Sequence, residues 1–141
     1  MCREISSSDP AKQVSKIVNF WRTGCKTAMN FSCGRLWTKP AKLLIKEKCP
    51  SGRWSCTATG AIGGKYLNEC RLYVTVEPCV MCAGACFWCQ VGQVIYGAPD
   101  PKRGASLHTP SLFHPKTQVR TGILEQECRE WMETFFRKLR F

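Results

Sequence analysis

Two cysteines flanking Val80-Met81 stand between two β-branched runs, and this pattern constrains the fold more than anything else in the chain. Arg71-Leu72-Tyr73-Val74-Thr75-Val76 is β-branched and aromatic, the composition of a strand. Pro78 suits the first position of a helix, where its missing N–H costs nothing, and Cys79 to Trp88 are expected to continue that helix. Residues 90–92 turn the chain, and Gln93-Val94-Ile95-Tyr96 reads as a second strand ending at Gly97. Strand, helix, strand in this order imply a right-handed crossover between parallel strands, hence an α/β fold.

The flanking segments are less regular. Residues 99–118 are proline-rich and read as loop, and Gln118-Val119-Arg120-Thr121 as one more short strand. The last segment is an amphipathic helix, with Leu124, Cys128, Trp131, Met132, Phe135 and Leu139 recurring at spacings of three and four. Glu125 and Glu127 in its first turn and Arg137, Lys138 and Arg140 in its last match the helix dipole. Near the start, Asp9-Pro10 caps an expected short helix carrying Val14, Ile17, Val18 and Trp21, with Gly24 as its stop. Residues 23–59 show no sustained periodicity, so no organisation is expected from them.

The 141 residues suit one domain. No apolar run approaches the roughly 18 residues of a membrane span. Met1-Cys2-Arg3-Glu4 leads into Ser and Asp, not into an apolar export signal. Eleven cysteines, an odd number without such a signal, read as reduced thiols of a cytoplasmic protein, some of them metal ligands. Lysine and arginine number 21 against 10 acidic residues. Residues 1–60 hold 11 of the basic and 3 of the acidic ones. Such an excess favours a polyanionic partner, nucleic acid being the usual one, although a solvated basic surface would look the same.

Cys79 and Cys82, at i and i+3 near a helix N-terminus, lie where the dipole favours thiolates, the form that binds metal. Zinc takes such soft ligands and needs others from elsewhere. Core cysteines, a thiol redox pair and half of a structural zinc knot fit the same spacing. The flanks separate these readings. Tyr73-Val74-Thr75-Val76-Glu77-Pro78-Cys79-Val80-Met81-Cys82-Ala83-Gly84-Ala85 closely resembles the zinc helix of bacterial tRNA-specific adenosine deaminases, in the cytidine deaminase-like superfamily. The resemblance continues through Val94-Ile95-Tyr96-Gly97-Ala98, Asp100, Lys102, Gly104, Ser111-Leu112, His114-Pro115, Gly122-Ile123-Leu124 and Phe135-Phe136-Arg137, covering residues 61–141.

The resemblance implies a three-layer αβα sandwich, a homodimer, and hydrolytic deamination of adenosine to inosine in a tRNA anticodon loop. It implies zinc held by one His and two Cys, activating a water that attacks C6 of adenine, while a Glu two residues after the His moves protons. Carried over by position, Cys79 and Cys82 are the thiolate ligands. His114 falls in a substrate-side loop, and Arg137, Lys138 and Arg140 fall in a basic helix near the tRNA.

One part of the family pattern is absent. The His-x-Glu belongs near residues 48–52, where the chain reads Lys48-Cys49-Pro50-Ser51-Gly52, and both histidines, His108 and His114, follow the cysteines. Glu77 belongs to the Glu-Pro-Cys run and does not match the proton shuttle. Cys49, Cys56 or Cys70 could offer a third thiolate, but not the acid–base group. Codon degeneracy suggests a cause. Residues 48–56 can be encoded so that a shifted frame reads Met-Pro-Val-Gly-Ala-Val-Val-Val, which resembles the family's first strand. Thr57-Ala58-Thr59-Gly60-Ala61-Ile62-Gly63-Gly64 then resembles the in-frame end of its second helix, so the expected cause is a shifted frame followed by a deletion of roughly 35 residues between Cys56 and Thr57. The expected organisation is therefore a basic segment, 1–60, without an in-frame match, and the C-terminal part of a zinc-dependent deaminase domain, 61–141. The sandwich would be incomplete at its N-terminal strands and second helix, leaving a sheet edge exposed. A catalytically dead nucleic-acid-binding remnant and a thiol redox or structural zinc protein are the rival readings.

Overall fold

The two β-branched runs pair in parallel, as the crossover requires. The computed structural model describes Ser15 and residues 32–38, 42–49, 59–60 and 62–139, with backbone alone for 32–38, 42–49, 135, 138 and 139. Its strands are β1 (Ser32–Thr38), β2 (Lys42–Cys49), β3 (Arg71–Val76), β4 (Gln93–Ala98) and β5 (Gln118–Arg120). Helix α1 (Val80–Trp88) follows β3, a 3-10 turn (Ala105–Leu107) follows β4, and α2 (Glu125–Leu139) follows β5. The sheet order is β2-β1-β3-β4-β5. β3, β4 and β5 are mutually parallel, and β1 runs antiparallel to both its neighbours.

Alternation along β3 and β4 assigns the two faces. Leu72, Val74, Val94 and Tyr96 join Ala83 and Cys86 of α1, together with Leu67, Val91 and Phe113, in the hydrophobic core. Tyr73 and Ile95, also buried, point to the opposite face, where α2 packs on β4 and β3. Helix, sheet and helix are thus stacked in layers. Each fully buried aliphatic side chain contributes roughly 1.5–3 kcal/mol of apolar burial.

Four differences from the sequence reading have physical causes. Gly97 does not end β4, which runs on to Ala98. It marks instead a close approach of α2, since a Cβ there would collide with the Cys128 thiol and lie 2.9 Å from the Thr75 carbonyl. Cys79 is not part of α1. Leu124 stands before α2, at φ 54°. Finally, residues 32–38 and 42–49, from which nothing was expected, form the antiparallel β1–β2 hairpin. Its register shifts between Leu36 and Trp37, a bulge that breaks any period of two. β1 pairs with β3, and β2 is the outer strand at that edge of the sheet.

Upstream of the core, Thr59, Gly60 and Ile62 are helical. Gly63 ends that turn at φ 73°, its N–H donating to the Thr59 carbonyl at 2.9 Å, a conformation suited to glycine. The helix expected after Asp9-Pro10 lies outside the described residues except for Ser15, which is helical.

Candidate metal and nucleic-acid site

β3 delivers the cysteine pair to the carboxyl ends of the parallel strands, the usual place for a ligand site in an open α/β sheet. Cys82 is buried on α1, and Cys79 is half-buried. Cys79 is the N-cap of α1, with extended backbone (φ −72°, ψ 171°). Its carbonyl accepts the Ala83 N–H at 2.8 Å, so the first helical hydrogen bond closes on it.

The loop after β4 is stitched to this turn. Cys79 forms an isolated antiparallel bridge with Gly104, and the Ala105 N–H donates to the Pro78 carbonyl at 3.0 Å. Beneath the bridge lies Glu77, only 3% exposed. Its Oε1 accepts the Ser106 N–H at 2.7 Å and its Oε2 the Asp100 N–H at 3.0 Å. The buried Tyr96 hydroxyl donates to the same carboxylate. Burial, then the Glu77 charge, then this hydrogen bond push the Tyr96 phenol up to about 12. Asp100 continues the chain of contacts, its Oδ1 accepting the N–H groups of Lys102 at 2.9 Å and Arg103 at 3.1 Å.

Cys70 lies in the core and not beside the pair, and its thiol is pushed up to about 11 by burial, with Glu69 adding to the shift. Cys70 therefore packs in the core and forms no metal-holding group with the pair. Cys49 belongs to β2, its side chain undescribed, and Cys56 lies outside the described residues. Among the described residues, no group of three or more His, Cys, Asp or Glu side chains could hold a metal ion. The donor chemistry of Cys79 and Cys82, two thiols one turn apart, is of the soft kind that zinc takes.

His114 is placed elsewhere. Its ring meets Phe87, centroids 5.4 Å apart, and its Nδ1 accepts the Lys116 N–H at 3.2 Å. Phe87 lies eight residues beyond Cys79, about 12 Å along the axis at the α-helical rise. Arg137 is exposed on α2, Lys138 lies in α2 with its side chain undescribed, and Arg140 is outside the described residues. The structure thus brings Cys79 and Cys82 to one turn but does not gather His114 there. The sequence reading overlooked Glu77 as a structural tie. The available signal was an acidic residue placed directly between a β-branched strand and a Pro-Cys turn.

A layered α/β sheet with a cysteine pair at the start of its crossover helix is a deaminase type of scaffold. The family model for MafB19-like deaminase matches residues 56–140, and the chain belongs to that family. It is 43% identical over 103 residues to the tRNA-specific adenosine deaminase of Bacillus subtilis, a match covering 70% of this chain and 58% of the relative. The chain thus spans less than two thirds of that relative's length. A solved chain from work on A-to-I editing by tRNA:A34 deaminases superposes with a TM-score of 0.61 at 26% identity, covering 71% of this chain and 83% of that one. Guanine deaminase from Nitrosomonas europaea shares the fold, with a TM-score of 0.67 at 16% identity over 94% of this chain and 87% of that chain.

Proposed function

We propose that the chain is the thiolate-bearing and RNA-facing part of a tRNA adenosine deaminase domain, and that in its present sequence it binds metal and RNA without deaminating. The observation that carries this reading is the Cys79–Cys82 turn at the carboxyl ends of β3 and β4, within a sequence close to tRNA-specific adenosine deaminase. Cys79 and Cys82 would hold zinc, which when bound supplies an activated water for attack on C6 of adenine. His114, Arg137, Lys138 and Arg140 would contact the anticodon loop. Proton transfer is the missing function. Both histidines follow the cysteine pair, and both Glu77 oxygens are occupied by backbone donors. The same resemblance supports a cytoplasmic homodimer. Among the described residues, no helix is long and apolar enough to cross a membrane.

The frame-shifted origin of residues 48–56 belongs to the same proposal. The test supplies the chain with zinc and a tRNA bearing adenosine at the wobble position, then reads inosine by sequencing. No inosine is expected. Inosine formation would show that another residue moves the proton. Metal-independent disulfide exchange through Cys79 and Cys82 would favour the redox rival instead.

A further inference from the structure

We infer that Glu77 is a positioning residue for the Cys79 thiol, holding it from outside the helix so that both thiols can face one metal ion. This rests on Cys79 and Cys82 being metal ligands. Helix geometry accounts for only one of the two positions. Cys82 is the third residue of α1 and is placed by the helical backbone. Cys79 precedes the helix with extended backbone, so the direction of its side chain follows the incoming chain.

That incoming chain is held from across the turn. Gly104 bridges Cys79, and Ala105 donates to the Pro78 carbonyl. The Gly104 segment is tied in turn to Glu77, whose carboxylate takes donors from Asp100, Ser106 and Tyr96. Gly104 is also the close-approach point. A Cβ there would collide with Glu77 Oε2 and lie 2.6 Å from the Asp100 carbonyl oxygen. The spacing of the thiols therefore depends on a loop more than twenty residues away in sequence, through one buried carboxylate whose acceptors are satisfied. Metal affinity commonly depends on such supporting contacts by about 10–100-fold. A tie that served stability alone would leave thiol spacing unchanged in every molecule that folds.

The test titrates the full chain with Cd2+ and follows thiolate-to-metal charge-transfer absorption. The difference from Cys79→Ser isolates the signal that needs Cys79. Glu77→Gln puts an amide NH2 where a backbone N–H donates, and is expected to weaken that Cys79-dependent binding about tenfold or more, with circular dichroism unchanged. Ile95→Val, a core change on the opposite sheet face, controls for lost stability and should leave the affinity as it was. Parent-like Cd2+ binding in folded Glu77→Gln overturns the inference. Should that variant fail to fold, Tyr96→Phe decides, since it removes one of the three donors. A loss of about threefold or more is expected, and an unchanged titration overturns the inference. If Cys79→Ser leaves the Cd2+ signal intact, the metal-ligand reading falls and takes this inference with it. A signal that needs Cys79 but ignores Glu77 and Tyr96 sinks this inference alone.

Discussion

β1 and β3 lie side by side in one sheet, with Leu36 opposite Leu72 and Gly34 opposite Val74, yet their sequences differ sharply in kind. β3 reads Arg-Leu-Tyr-Val-Thr-Val, its four middle residues are all buried, and its strand character is visible in isolation. β1 reads Ser-Cys-Gly-Arg-Leu-Trp-Thr and is paired with a bulged partner rich in lysine. A strand covered on both faces must carry continuous apolar residues. A strand toward the edge of the sheet is specified by its neighbour, so its sequence alone says little.

The largest effect should come from restoring what the hairpin region lacks. Correcting the frame before Lys48 and restoring the missing stretch between Cys56 and Thr57 should bring back a His-x-Glu and inosine formation. General acid–base catalysis alone accounts for about 10²–10⁴ of the rate. A folded, zinc-loaded repaired chain that makes no inosine would refute the family transfer.

Backbone damage should separate the two regions next. Val94→Pro removes a ladder donor from β4, which is paired on both sides, and should abolish cooperative urea unfolding. Lys46→Pro falls on the outer strand and should cost much less. Equal losses would mean that the hairpin is as integral to the sheet as the crossover.

Gly97→Ala should cost about 1–3 kcal/mol by overpacking against Cys128. Cys128→Ala should recover part of that loss in a double-mutant cycle. Strict additivity would show that α2 shifts away instead of resisting.

A smaller effect concerns pH. Tyr96 is raised from 10.0 to about 12 in the folded chain, so the unfolded chain loses that proton first. The stability it contributes is whole below pH 10 and is lost as pH rises through 12. Tyr96→Phe should flatten that part of the denaturation curve. An identical curve would mean that Tyr96 titrates normally.

The smallest change should be in the salt dependence of RNA binding. Replacing Arg137, Lys138 and Arg140 together by alanine should lower the log–log slope by about 0.7 for each single-strand phosphate that is no longer neutralised. An unchanged slope would remove the α2 end from the RNA interface.

Much of the α/β unit was legible because its signals are local. β-branched runs, Pro78 and the spacing of Cys128, Trp131 and Met132 each report on their own neighbourhood. The site was legible only to the level of residue type. Cys79 and Cys82 could be named as candidates from sequence, but placing Cys79 in the helix treated Pro78 as the first helical residue. The bridge to Gly104 instead keeps that segment extended. Glu77 and Gly97 act through contacts distant in sequence, with Ser106 and Cys128 respectively, which no window of neighbouring residues contains. The hairpin was illegible for the converse reason, since its pairing partner supplies what its own sequence lacks.

Glu77 grips the loop after β4 by its amides at Asp100 and Ser106, not by any side chain there. A grip on main-chain groups is indifferent to the identity of most residues it holds. Lys102, Arg103 and Leu107 all face solvent, while Gly104 is barred from growing and Ala105 is buried. The loop is therefore a cassette. Its exposed letters can be rewritten, by drift or by a library, to present a different surface beside the thiol pair while its mounting stays the same.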